Sequence, residues 1–330
     1  MFHRAMFSLV AATAFVSLAP AMVAAPPAET SSTLRRADGQ PDIEGTYTFR
    51  TLTRLERPAV LEGKEALDPE TAKAFEASEN KRLNRDLFDP IKGAPSAGYA
   101  PRSEGGVLSY NEFWYERGIE LTKDKRTSLI VDPPDGRIPW SEEGAERRRQ
   151  RRELRRLHGT DSHENRSLAD RCIMGFNSGP PMTSGAYNNN VQIFQTAGTV
   201  AILNEMVHNA RVIPLDDRPH LTSAIRTALG DARGHWEGDT LVVETTNLKA
   251  GGRNGSSSNL RLVERFTRVD RDTLQYEYTM HDPTTWTQPW TARIFMRPAP
   301  GTGVIYEFAC HEGNYALEHT LRGARLQEGR

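Results

Sequence analysis

Two polar clusters in the sequence contain residue types that transfer protons. His281 closes a stretch with strand-like alternation, and His311 and Glu312 directly follow Cys310. A histidine beside a carboxylate suits general acid–base catalysis, because the carboxylate orients the ring and shifts its pKa. We therefore take His281, His311 and Glu312 as candidate catalytic residues for hydrolysis, elimination or isomerisation. The alternative for each histidine is a hydrogen-bonded structural role.

Five further side chains are candidates for binding a small organic ligand. Arg211 and Arg265 are of the type that holds an anionic group. Trp236, Trp290 and Tyr115 are of the type that lines a cavity for a flat or sugar-like molecule. The alternative for the aromatic side chains is ordinary packing in the core.

Several function classes are disfavoured by what the chain lacks. Gly251, Gly252 and Gly255 do not have the strand–helix context of a nucleotide-binding loop or a nucleophile elbow. No two histidines have the short, regular spacing of a metal site. We therefore expect neither a cofactor nor a metal. A formal net charge of −1 argues against a nucleic-acid partner, which usually needs a basic surface.

The start of the chain predicts export. Residues 1–25 combine a weakly basic beginning, an apolar run and a small-residue exit, which is typical of a cleavable signal peptide. The alternative is an uncleaved anchor, although the run is short for a membrane span. In an exported protein, Cys172 and Cys310 most simply form one disulfide. Free thiols or a catalytic cysteine are the other possibilities. We expect a periplasmic or secreted protein with no membrane span after signal removal.

The elements that position these residues are mostly short strands. After Cys172, about ten β segments are separated by tight turns such as Ala197-Gly198 and Gly238-Asp239, and the last of these segments is residues 304–309. Parallel sheets need long crossovers, so short turns imply an antiparallel barrel or a strongly curved sheet. In the segment from Leu274 to His281, alternate residues are apolar and polar, so one face packs. The polar face lines either solvent or a lumen.

The remaining segments surround this β-rich region. Residues 26–42 read as a flexible leader, and residues 43–330 as a single β-rich domain. Helical insertions are predicted near residues 68–85 and 141–157. The second helix is rich in arginine, which favours a solvated surface helix over an anion or membrane-surface site.

Several stretches resemble a family of uncharacterised exported bacterial proteins. The resemblance rests mainly on Tyr110–Gly118, Arg126–Pro139, Gly234–Val243 and Cys310–Tyr315, and it covers most of the chain after residue 43. It implies export but no established activity. The Gly-x-Trp pattern at Gly234-His235-Trp236, beside short strands, is also similar to calycins such as lipocalins, which is an analogy of fold only.

Together these features predict an exported protein that takes a small organic ligand in the mouth of a barrel, with acid–base catalysis as a hypothesis. Two rivals stay open. One is a non-catalytic, lipocalin-like carrier. The other is a structural envelope protein whose polar clusters only cross-link the fold.

Overall fold

The structure is a computed structural model that describes residues 34–87, 112–249, 254–301 and 303–329. The predicted signal peptide and the first part of the predicted leader lie outside these residues. The described end of the leader is hydrogen-bonded to the rest of the molecule. Gln40 Nε2 donates to the Ala197 carbonyl over 2.9 Å, and Arg35 forms an ion pair with Asp239.

Antiparallel strands dominate the described residues, and they form a nearly closed barrel. The strands are β1 (Gly45–Thr48), β2 (Ile130–Asp132), β3 (Asn190–Gln195), β4 (Thr199–Asn204), β5 (Ala210–Pro214), β6 (Asp231–Glu237), β7 (Thr240–Thr246), β8 (Arg261–Asp270), β9 (Thr273–His281) and β10 (Trp290–Pro298). Along the sheet their order is β5-β4-β3-β1-β10-β9-β8-β7-β6, and β2 pairs separately with β10. This confirms the predicted fold class.

The two edge strands, β5 and β6, lie side by side and close the barrel imperfectly. Every pairing along this path of nine strands is antiparallel, so direction alternates from strand to strand. The first strand, β5, and the ninth, β6, therefore run in the same direction. No backbone ladder among the described residues joins them. Side chains close this junction, which we call the seam. A Cβ on Gly234 would lie 2.8 Å from Leu215 Cδ2 and 2.9 Å from Ile213 Cγ2, so glycine permits the close approach.

The barrel interior is packed with the apolar positions of the alternating strands. In β9, Leu274, Tyr276, Tyr278 and Met280 are fully buried, while the intervening polar residues are partly exposed. The polar face of this strand therefore lies on the outside of the barrel and not in a lumen. Aromatic rings fill much of the core, and the Tyr278 and Trp290 rings meet edge to face at 5.9 Å.

Three α-helices lie among the described residues: α1 (Pro69–Leu83), α2 (Glu142–His158) and α3 (Tyr315–Gln327). The first begins as the sequence predicts, because the Asp68 carboxylate accepts hydrogen bonds from the amides of Glu70 and Thr71. In α2, the Ser141 hydroxyl caps the Gly144 amide. A Cβ on Gly144 would lie 2.1 Å from the Thr285 carbonyl oxygen, so α2 starts in tight contact with the turn after β9.

The C-terminal segment differs from the sequence prediction. Residues 304–309 form no strand, and α3 follows them without having been predicted. The strand prediction was wrong because apolar alternation alone does not supply a pairing partner. The predicted disulfide is present, with a Cys172–Cys310 S–S distance of 2.07 Å, and it connects this segment to the middle of the chain. Within the described ranges, no helix has the length and apolar character needed to cross a bilayer.

Candidate functional site

The three predicted catalytic residues lie in different surroundings. His281 is at the end of β9 on the outer face, opposite Arg261 in the strand register. Burial, and then the Arg261 charge, lower the pKa of His281, because both disfavour the protonated imidazolium. His311 and Glu312 are exposed in the turn after Cys310. Among the described residues, no hydrogen bond or ion pair joins His281 to either of them.

The two arginines predicted to hold an anion are both engaged with carboxylates. Arg211 lies inside the barrel, where its Nη1 and Nη2 are 2.5 Å and 3.0 Å from the oxygens of the fully buried Glu264. The Tyr276 hydroxyl donates to the same carboxylate over 2.6 Å, and burial, with the Glu264 charge, raises the pKa of Tyr276. Arg265 is on the outer face of β8 and pairs with Glu237 at 2.7 Å.

The three predicted aromatic residues also separate. Trp290 is fully buried and packs in the core against Trp286, as the core-packing alternative describes. Trp236 is half-buried and packs against the same core. Tyr115 lies elsewhere, with the Arg117 guanidinium 4.3 Å from its ring centre. These positions do not form one ligand cavity.

His220 is a polar residue that the candidate set did not include, and it joins two strands. Its Nδ1 lies 2.9 Å from Asp231 on β6, and its Nε2 lies 3.4 Å from Glu244 on β7. Burial opposes ionisation of Asp231, but the hydrogen bonds from the Leu221 amide and His220, together with the Arg233 charge, lower the pKa of Asp231. Both ring nitrogens of His220 therefore face carboxylates, which ties the loop after β5 to the barrel.

A basic groove of about 590 Å³ lies between α2, residues 164–176 and the chain on either side of the β6–β7 hairpin. Ala228, ahead of β6, and Leu248, after β7, form one side of this groove. Thr227 holds them together, because its amide donates to the Asn247 carbonyl and its carbonyl accepts from the Lys249 amide. Since β6 and β7 are antiparallel, these residues lie at one end of the barrel.

Most of the charged side chains that line the basic groove are cationic: Arg151, Arg155, Arg166, Arg171 and Lys249, with Glu164 as the acidic one. Arg166 pairs with Asp170 at 3.1 Å. The other four cations have no acidic partner within ion-pair distance among the described residues. Burial, and then the charges of Arg147 and Arg155, lower the pKa of Arg151. The groove therefore concentrates positive charge that its own carboxylates do not balance.

The contrast within α2 shows why the sequence did not reveal this groove. Arg149 and Arg156 each pair with a glutamate three residues earlier on the same helix, as expected for a solvated surface. Arg151 and Arg155 are one turn apart on the groove side. The i,i+4 spacing places these two arginines on one face of the helix. The other residues that line the groove come from distant parts of the chain, so the sequence does not show that they meet there.

The described residues contain no group of three or more His, Cys, Asp and Glu side chains arranged to hold a metal ion. Comparisons with protein-family models, with curated proteins and with solved structures find no match to this chain.

Proposed function

We propose that this chain is an exported protein that binds a small organic anion in the basic groove. The observation that carries the proposal is the presence of four cationic side chains without acidic partners around one groove: Arg151, Arg155, Arg171 and Lys249. The volume of the basic groove, about 590 Å³, falls in the range of small-molecule sites, which is roughly 300–1,000 Å³.

The electrostatics of the groove favour an anionic ligand over a neutral one. Like charges one helical turn apart, as at Arg151 and Arg155, destabilise a helix by a few tenths of a kcal/mol. A bound carboxylate or phosphate relieves this repulsion and forms charge-assisted hydrogen bonds with the guanidinium groups. Arginine suits this task because its planar fork matches both kinds of anion.

Export is part of the proposal. It is supported by the signal-like residues 1–25, by the resemblance to exported bacterial proteins and by the Cys172–Cys310 disulfide, which is typical of oxidising compartments. The proposal is for binding, because His281, His311 and Glu312 are not among the residues that line the basic groove. A role for these three residues in catalysis stays a prediction from the sequence.

Titration calorimetry with phenyl phosphate tests the proposal. Arg155→Gln should weaken binding by roughly 10-fold or more, since a hydrogen bond to a charged group contributes about 1.5–3 kcal/mol. Arg149→Gln is the matched control, because Arg149 is on the same helix and is paired with Glu146. Binding should also weaken as salt is raised. Equal affinity of the wild type and Arg155→Gln, or no binding by the wild type, would contradict the proposal.

A further inference from the structure

Apolar side chains also line the basic groove. They are Leu168, Ile173, Met174, Phe176 and Leu248. Two of these side chains are well exposed, Ile173 at 41% and Phe176 at 47%. Adjacent large apolar side chains left in water mark a binding surface more often than isolated ones do. The lining of the groove is therefore both cationic and apolar.

The backbone holds Ile173 and Phe176 in place, so their exposure is built into the fold. Cys172, which precedes Ile173, has a positive φ of 53° and is covalently bound to Cys310. The Asn209 side chain accepts a hydrogen bond from the Gly175 amide over 3.0 Å and donates to the Ile173 carbonyl over 3.3 Å. The segment is thus fixed at both sides of the exposed residues.

Close packing adds to this constraint. A Cβ on Gly175 would lie 2.1 Å from Met206 Cγ, so the backbone at this position is in close contact with a side chain two residues beyond the end of β4. The Phe176 ring meets the Tyr187 ring edge to face, with centres 5.5 Å apart. Because the backbone of this segment is already fixed, a ligand that buries its apolar side chains does not have to order the backbone as well.

The mixed lining of the groove favours a ligand that has both an anionic and an apolar part. An inorganic anion would contact the cations and leave Ile173 and Phe176 in water. A neutral apolar molecule would leave the charges of Arg151, Arg155 and Arg171 unbalanced. We propose that the natural ligand is a single-tailed amphiphile, with an anionic head against the arginines and an apolar tail along Ile173 and Phe176. This inference rests on the proposed function.

A series of alkyl phosphates below micelle-forming concentrations tests the tail. Calorimetric affinity should rise from ethyl through butyl to octyl phosphate by roughly two- to fourfold for each methylene that the groove buries. The compounds 1-octanol and inorganic phosphate should bind more weakly than octyl phosphate. If affinity does not change with chain length while Arg155→Gln still weakens it, the amphiphile inference fails and the proposed function stands. If no member of the series binds, both fail.

Variants separate the tail from the head. Phe176→Ser should flatten the dependence on chain length and leave the affinity for inorganic phosphate unchanged. Ile173→Ser is a second variant with the same expectation, should Phe176→Ser not fold by circular dichroism. Phe194→Ser is the matched control, because Phe194 is 42% exposed on β3 and does not line the groove. An unchanged chain-length dependence in both groove variants would overturn the inference.

Discussion

Removing one partner of the buried ion pair between Arg211 and Glu264 should strongly destabilise the barrel. Arg211 is on the edge strand β5, and Glu264 is on β8, so the pair crosses the interior and ties the edge of the sheet to its far side. Replacing Arg211 with leucine removes both charge-assisted hydrogen bonds and leaves the Glu264 carboxylate with the Tyr276 hydroxyl alone. Breaking a buried pair from one side costs about 3–5 kcal/mol, and we expect a loss in that range.

The double variant Arg211→Leu, Glu264→Leu gives the decisive comparison. Removing both charges together avoids an uncompensated buried carboxylate, so the double variant should be markedly more stable than Arg211→Leu. Urea unfolding followed by tryptophan fluorescence measures both, and hydrogen exchange of the β5 amides reports whether the seam opens. Arg265→Leu is the control, because Arg265 forms an exposed pair, and it should change little.

Two results would refute this reasoning. If Arg211→Leu costs less than about 1 kcal/mol, the pair does not hold the seam. If the costs of the two single substitutions simply add in the double variant, the side chains are not energetically coupled. In either case the seam between β5 and β6 would depend on the packing of Leu215 and Ile213 against Gly234.

Three further predictions concern stability. Replacing Cys172 and Cys310 with serine should lower the free energy of unfolding by up to about 5 kcal/mol, because the disulfide closes a loop of 138 residues and so reduces the entropy of the unfolded chain. An unchanged urea midpoint would contradict this. Gly234→Val should cost about 1–3 kcal/mol by overpacking the seam, with a matching fall in melting temperature that Gly198→Val, in open space, should not show. Because the pKa of Asp231 is lowered in the folded state, its contribution should be present above its unfolded value of 3.8 and be lost as the pH falls below it. The stability gap between wild type and Asp231→Asn should therefore be larger at pH 6 than at pH 3, and a gap that grows on acidification would refute the assignment.

The local features of the fold could be predicted from the sequence. The hairpin turns at Ala197-Gly198 and Gly238-Asp239 join β3 to β4 and β6 to β7, because turn chemistry depends on neighbouring residues. The start of α1 at Asp68 follows from the same kind of local signal. The disulfide followed from the number of cysteines and the predicted compartment.

Interactions between distant residues could not be predicted in this way. Alternation places Arg211 on the inner face of β5, but nothing local indicates that Glu264 lies opposite it. For Trp290 the sequence left both a ligand cavity and core packing open, and the positions of its neighbours place it in the core. The basic groove combines Arg155, Arg171 and Lys249 from three separate segments, so no single stretch of sequence contains it.

The pairing of β1 with β10 bears on when the barrel can form. Tyr47 on β1 lies opposite Pro298 on β10, so β1 can form this pairing only when β10 is available. Such non-local pairing slows folding, because a long loop must close before the contact is made. A chain synthesised from its N-terminus therefore cannot complete this barrel until β10 has emerged. Until then β1 lacks one of its two neighbours, and the two halves of the sheet, β5-β4-β3-β1 and β10-β9-β8-β7-β6, are not joined through this pairing.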